Sequence, residues 1–99
     1  MKVVFYERVI ADIAPIHAHI AVANPAAAQR VEDMIRLTSE GLADSPYASV
    51  ATDQPGIRRV PLVRYPFPMF FRINELAGQV EIARVIHASR IASLSQLPE

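Results

Sequence analysis

An alternating stretch of large apolar and mostly polar side chains in the second half of the chain constrains the fold most. One side of residues 67–74 carries Phe67, Met69, Phe71 and Ile73. This period of two, rich in aromatic residues, predicts a β-strand. Residues 75–78 predict a turn, because Gly78 can adopt a positive φ at little cost. Residues 79–86 are rich in β-branched side chains and predict a second strand, so the stretch predicts a β-hairpin.

Length and composition limit the class of protein. The 99 residues, 52% of them hydrophobic, predict a single domain over residues 1–99 with one modest core. The absence of cysteine excludes disulfides and thiolate metal sites. A formal net charge of zero argues against non-specific nucleic-acid binding as the main source of affinity. No apolar run reaches the roughly 20 residues of a membrane span. Glu7 and Arg8 interrupt any secretory signal, so we expect a cytoplasmic protein.

The dipeptide Asn24-Pro25 is the clearest local signal. Asn is a preferred N-cap and Pro is enriched at the first helical position, so a helix begins here and runs to about Leu42, where Gly41 favours a stop. Its apolar stripe faces one side only, which predicts packing against a sheet. A preceding helix over about residues 8–23 is joined to it by a short connection, so the two helices form an antiparallel hairpin.

Pro15 leaves two arrangements of the first helix open. The helix either begins near Arg8 and bends at Pro15, or begins late with Asp12 as its N-cap. His17 and His19 in the same helix are two residues apart and therefore point to nearly opposite sides. This spacing does not suit a metal site.

The remaining segments complete the topology. Residues 2–6 and 57–63 predict strands, and Pro61 indicates a sheet edge or strand end. Residues 43–56 form one long connection that Tyr47 is expected to anchor, and residues 91–99 are expected to be a flexible tail. The predicted fold is α+β, with the order β-α-α-β-β-β. The helical hairpin packs on one face of a mainly antiparallel four-stranded sheet.

The opposite face of this sheet holds Phe70 and Arg72. Together with Arg58 and the end of the last strand, these residues are expected to border a partly open groove. Phe70 is either covered by the tail or the long connection, or it is an exposed anchor for another protein. Residues 51–99 carry six arginines and four acidic residues, a net charge of +2. Arginine suits bidentate recognition of carboxylate or phosphate, although any single arginine is also explained as ordinary surface charge.

Three segments together resemble the RelE/ParE superfamily of toxin–antitoxin toxins, and more closely its ParE branch. DIAPIHAHIAVANPAAAQRV is similar to the helical hairpin with its Asn-Pro join, GIRRVPLVRYPFPMFFRI to the two central strands, and VEIARVIHASR to the closing strand. The resemblance runs nearly end to end. It implies a small toxin that is held inactive by a ParD-like antitoxin and needs no cofactor. RelE-like members cleave mRNA on the ribosome, whereas ParE-like members are regarded as DNA gyrase inhibitors.

Side-chain chemistry helps to choose between these branches. Cleavage of RNA by its 2′-OH needs an acid, a base and a stabiliser of phosphorane charge, and Arg58, Arg72 and His87 are the candidates. His87 is followed by Ala88 and Ser89, where ribosome-dependent relatives typically carry a further acid–base group. Such relatives are also usually rich in lysine, and Lys2 is the single lysine here. The sequence therefore favours a toxin that acts by binding, with a nuclease or an inactive antitoxin-binding protein as alternatives.

The resemblance also implies two sets of contact residues. The candidates for target binding are expected near the C-terminal end: Arg58, Arg72, Arg84, His87 and Arg90. The candidates for antitoxin binding lie on the helical hairpin and the opposite sheet face: Phe70, Tyr65, Ile16 and Ile20. Sequence-specific DNA binding is expected of the antitoxin, because the chain has no helix-turn-helix signal and no basic arm.

Overall fold

The computed structural model describes residues 1–88, so the expected tail and Arg90 lie outside the described residues. The elements in chain order are β1 (Lys2–Phe5), α1 (Glu7–Ala23), α2 (Pro25–Asp44), β2 (Val50–Ala51), β3 (Arg58–Leu62), β4 (Tyr65–Asn74) and β5 (Gln79–Val85). None of the described helices is long and apolar enough to cross a membrane.

The strands form one sheet in the order β1-β5-β4-β3-β2. The β1–β5 pair is parallel and the other pairs are antiparallel. The predicted α+β topology is confirmed, but the sheet has five strands where four were expected. The additional strand, β2, contains only two exposed residues, a length at which no periodic pattern exists to detect. Pro61 lies at a register shift of the β3–β4 pair, between Val60 and Leu62. Strand β2 pairs only with Arg58 and Arg59, so the missing N–H of Pro61 removes no hydrogen bond to β2.

The predicted hairpin is confirmed as β4 and β5. Gly78 adopts a φ of +65° in the connecting turn, as expected for a residue without Cβ. The Asn74 side chain accepts a hydrogen bond from the Ala77 backbone N–H at 3.1 Å and so stabilises the same turn. Strand β4 begins at Tyr65, two residues before the aromatic alternation.

Helix α1 begins at Glu7 and passes through Pro15, so the late-starting arrangement with Asp12 as N-cap is wrong. The ring of Pro15 deprives the carbonyl of Ala11 of its helical hydrogen bond. Both residues are exposed, so water can satisfy that carbonyl and the helix tolerates the proline.

Helix α2 begins as the sequence predicted and ends later. The Asn24 side chain accepts a hydrogen bond from the Ala27 N–H at 3.1 Å, and Pro25 is the first helical residue. The helix continues to Asp44, so the expected stop at Gly41 is wrong. Gly41 lies inside the helix on its exposed side, with no positive φ.

The main core lies between the helices and one face of the sheet. From α2 it receives Ala28, Val31, Ile35 and Leu42, and from the sheet it receives Leu62, Met69, Phe71, Val80, Ile82 and Val85. This confirms that the apolar stripe of α2 packs against the sheet. A smaller buried cluster contains Ile57, Phe70 and Ile86. Because Phe70 alternates with Met69 and Phe71 along β4, this cluster belongs to the opposite face.

Candidate functional site

Arg84 forms the most buried ion pair among the described residues. Its Nε and Nη2 donate to the two carboxylate oxygens of Asp12 at 2.7 and 3.1 Å. The two side chains are only 11% and 12% exposed. Arg84 was predicted to contact a target, but its guanidinium binds Asp12 of helix α1. The structure gives it a role in joining α1 to β5.

The same carboxylate also completes the edge of β5. Strand β1 is in register with β5 only as far as Ile82. Beyond that point Asp12 accepts a hydrogen bond from the Val85 backbone N–H at 3.1 Å. A register shift in the β4–β5 pair occurs here, between Phe70 and Phe71. Asp12 therefore replaces the missing strand partner where the ladder is irregular.

Arg58 organises the connection between α2 and β3. Its Nε and Nη2 donate to the hydroxyl and carbonyl oxygens of Ser49, each at 2.8 Å. Its guanidinium also lies 5.4 Å from the centre of the Tyr47 ring, a cation–π contact. The Tyr47 hydroxyl donates to the Glu75 carboxylate, and this hydrogen bond raises the pKa of Tyr47. Tyr47 thus anchors the long connection, as the sequence predicted.

Arg72 belongs to a polar cluster on the sheet face that points away from the helices. It is in register with Glu81, whose carboxylate accepts hydrogen bonds from the Tyr6 hydroxyl at 2.8 Å and from the Asn74 amide at 3.2 Å. Burial raises the pKa of Tyr6, the Glu81 carboxylate raises it further, and Arg72 partly opposes both. An open depression of about 450 Å³ lies beside this cluster, bordered by Tyr47 and Leu76.

His87 lies two residues after the end of β5 and is exposed. Its ring meets the Phe67 ring edge-on, with 5.3 Å between the ring centres and an interplanar angle of 83°. This contact places His87 near the beginning of β4, because Phe67 is the third residue of that strand.

The three residues expected in a nuclease site are not brought together. Arg58 is in register with Phe71, which faces the helices. Arg72 is the next residue along β4, so its side chain leaves the sheet on the opposite face. Five residues separate Phe67 from Arg72, so about 17 Å of strand lies between the His87 and Arg72 positions. The predicted groove that combines Arg58, Arg72 and the strand end is therefore wrong, because strand alternation separates the two arginines.

The residues predicted to bind an antitoxin differ in exposure. Phe70 is 0% exposed and packs with Ile57 and Ile86, so the prediction of an exposed anchor is wrong. Ile57, which the sequence analysis placed at the start of a strand, immediately precedes β3 in the structure. Tyr65, Ile16 and Ile20 are half-buried and pack against the main core.

A further feature escaped the sequence analysis: an apolar cleft of about 390 Å³ between β1, α1 and α2. It is lined by Phe5, Ile10, Ile13, Glu32, Ile35, Arg36, Ser39 and Glu40. Phe5 is 41% exposed and Ile10 is 65% exposed. The sequence feature that indicates this cleft is Ile10. It lies three residues before Ile13 and extends the apolar side of α1 toward the start of the helix, beyond the residues that pack in the core.

The described residues contain no group of three or more His, Asp or Glu side chains that could hold a metal ion. His17 Nδ1 lies 2.8 Å from a carboxylate oxygen of Glu32 and so connects α1 to α2.

Comparisons with known proteins agree with the fold of the chain. A family model described as "ParE toxin of type II toxin-antitoxin system, parDE" matches residues 3–92. A solved structure of the chromosomal ParDE system from P. aeruginosa is similar, with a TM-score of 0.76 and 23% identity over 88% of this chain and 95% of that chain. The isolated E. coli RelE toxin is also similar in fold, with a TM-score of 0.60 and 13% identity over 96% of this chain and 92% of that chain. No curated protein gives a sequence match.

Proposed function

The chain belongs to the ParE toxin family of type II toxin–antitoxin systems, and we propose that it acts by binding and inhibiting DNA gyrase, without cleaving RNA. The toxin role and the need for an antitoxin partner follow from the family. The target is our proposal. Gyrase acts on chromosomal and plasmid DNA, so the proposed place of action is the cytoplasm.

The separation of Arg58, Arg72 and His87 is the observation that carries this proposal. In-line cleavage of RNA needs its acid, base and charge stabiliser around a single phosphate. Arg72 lies on the face opposite Arg58, and about 13 Å of strand separates the Arg58 position from that of His87. Arg58 is also occupied with Ser49 and Tyr47. A binding mechanism requires no such convergence.

His87 and Arg90 are the contacts that we propose for the target. His87 is exposed at the end of β5, and Arg90 follows it in the sequence. Arg72 contributes, in this proposal, a second and separate contact on the open sheet face. Arg58 and Arg84 act through the structure that they stabilise.

A supercoiling assay tests the proposed target. Purified toxin is titrated against purified gyrase and relaxed plasmid DNA. We expect supercoiling to fall as toxin is added, and His87→Ala to shift the inhibition curve to higher toxin concentration. Full supercoiling at a large toxin excess would overturn the gyrase proposal.

A translation extract tests the nuclease alternative. The extract is primed with a defined mRNA and supplied with purified toxin. We expect the mRNA to remain intact at toxin concentrations that inhibit gyrase. Discrete cuts between codons that disappear in His87→Ala would establish the ribosome-dependent nuclease.

Neutralisation by an antitoxin is tested in cells. We propose that Ile16, Ile20 and Tyr65 contribute to this interface. Inducible expression of the toxin should arrest growth, and co-expression of the small protein encoded in the adjoining reading frame should restore it. Normal growth on expression of the toxin alone would instead indicate a family member that has lost its toxicity.

A further inference from the structure

The turn between β3 and β4 contains the only described residue other than glycine that has a positive φ. The two strands are in register at Leu62 and Tyr65, so Val63 and Arg64 form a two-residue loop, which we call the β3–β4 tip. Arg64 adopts a φ of +73°, whereas Val63 has no positive φ. A positive φ at the second loop residue alone is typical of a type II turn, where glycine or asparagine is ordinarily found. An arginine at this position therefore strains the backbone.

The fold does not use the side chain that causes this strain. Arg64 is exposed and forms no ion pair or side-chain hydrogen bond within the described part of the chain. Its neighbour Val63 is 62% exposed. Arg58 and Arg84, by contrast, both bind groups of the chain itself. Because glycine would be less strained here, an arginine without internal contacts indicates a surface that binds a partner.

The β3–β4 tip lies at the same end of the sheet as His87. The His87 ring contacts the Phe67 ring, and the Ile86 backbone N–H donates to the Pro68 carbonyl at 3.3 Å. The chain therefore leaves β5 beside the first residues of β4. Three residue steps separate Phe67 from Arg64, which is about 10 Å of extended chain. One macromolecular surface can contact Arg64 and His87 together.

We propose that the β3–β4 tip is part of the target-binding surface, where Val63 enters a small apolar hollow of gyrase and Arg64 binds a carboxylate beside it. This inference rests on the proposed gyrase inhibition and adds two residues to the contacts of His87 and Arg90. Arginine suits a carboxylate because its planar guanidinium donates two parallel hydrogen bonds.

Two observations favour a protein acceptor over a DNA phosphate. Val63 adjoins Arg64, and an exposed apolar side chain is stabilised when a protein partner removes it from water. The formal net charge of zero gives the chain little general attraction for phosphates.

Arg64→Gly separates a binding role from a structural role, because the two predict different results. Glycine relieves the strain of the positive φ, so the melting temperature should rise by about 2–4 °C. The same variant should need about 10-fold more toxin to halve gyrase supercoiling. Arg64→Lys keeps the charge without the planar fork and should need about 3-fold more. The matched control is Arg36→Gln, which changes an exposed arginine of α2 and should inhibit like the wild type.

Binding of the toxin to purified gyrase without DNA, measured by calorimetry, identifies the acceptor. We expect Arg64→Gly to lower this affinity about 10-fold and Val63→Ser about 3-fold. A loss that appears only when DNA is present would overturn the carboxylate acceptor and assign Arg64 to a DNA phosphate.

The remaining outcomes distinguish this inference from the gyrase proposal. If Arg64→Gly inhibits gyrase as well as the wild type does, the tip has no role in binding and the gyrase proposal stands. A lower melting temperature for Arg64→Gly would show that the arginine stabilises the fold, which contradicts the inference. If the wild-type toxin itself does not inhibit gyrase, the gyrase proposal is overturned and this inference with it.

Discussion

At the scale of single residues, Asp12 shows why functional candidates cannot be chosen from charge alone. Its carboxylate binds the Arg84 guanidinium and the Val85 backbone N–H at once. The family resemblance suggested Arg84 as a possible target contact, and the linear sequence does not reveal its partner. The partner lies 72 residues away along the chain, and only the folded sheet brings the two together.

The Asp12–Arg84 pair provides the first stability prediction. Asp12→Ala and Arg84→Ala should each lower the free energy of unfolding by about 3–5 kcal/mol, because each leaves a buried charge without its partner. Arg36→Ala, which removes an exposed pair with Glu40, is the control and should cost less than about 1 kcal/mol. Urea denaturation measures all three. Equal losses for Arg84→Ala and Arg36→Ala would show that the buried pair has no special role.

Tyr6 provides a prediction about alkaline pH. Burial and the Glu81 carboxylate raise the pKa of its phenol above the ordinary value of about 10. A raised pKa in the folded state contributes stability below pH 10 that is lost as pH rises through the folded pKa. Tyr6→Phe should therefore lose less stability than the wild type between about pH 9 and 11. Glu81→Gln should lower the pKa of the Tyr6 phenol, which ultraviolet absorbance of the phenolate measures; an unchanged titration would contradict the assigned hydrogen bond.

At the scale of elements, the sequence predicts the features that a few adjacent residues determine. The Asn24-Pro25 start of α2 and the Gly78 turn were predictable because capping and positive φ depend on a few adjacent residues. The end of α2 was not, since Gly41 is compatible with either a stop or an exposed interior position. Strand β2 exists only because β3 pairs with it, and a two-residue segment has no periodicity of its own.

Two glycines provide a matched prediction at this scale. Gly78→Ala should destabilise the protein by about 1 kcal/mol, because an alanine at a φ of +65° is strained although no neighbouring atom lies within 4 Å of its Cβ. Gly41→Ala should stabilise it by about 0.5–1 kcal/mol, because the helix accepts alanine there and space is open. Thermal unfolding of both variants measures the difference. Destabilisation by Gly41→Ala would mean that this part of α2 is not helical in solution.

At the scale of the whole molecule, the sheet separates residues that the sequence analysis had assigned to a single groove. Arg72 and Glu81 lie on one face, and Arg58 is in register with Phe71 on the other, while Tyr47 from the Arg58 loop borders the depression beside Arg72. His87 lies at the far end of β4, beside Phe67. The residue types of a nuclease were identifiable from the sequence. Whether these residues lie close together was not, because their positions depend on strand alternation and on a register shift between distant strands. The apolar cleft is likewise a product of packing between β1, α1 and α2.

The central claim is that this ParE-family toxin acts by binding gyrase and not by catalytic turnover on RNA. The most direct measurement is the toxin concentration that halves the supercoiling rate, determined at several gyrase concentrations above the dissociation constant. A tight-binding inhibitor gives a midpoint that rises in proportion to gyrase, and addition of antitoxin shifts the curve to higher toxin. The claim is contradicted if supercoiling stays unchanged at every ratio while the same preparation, at a small fraction of the ribosome concentration, cuts mRNA in a translation extract.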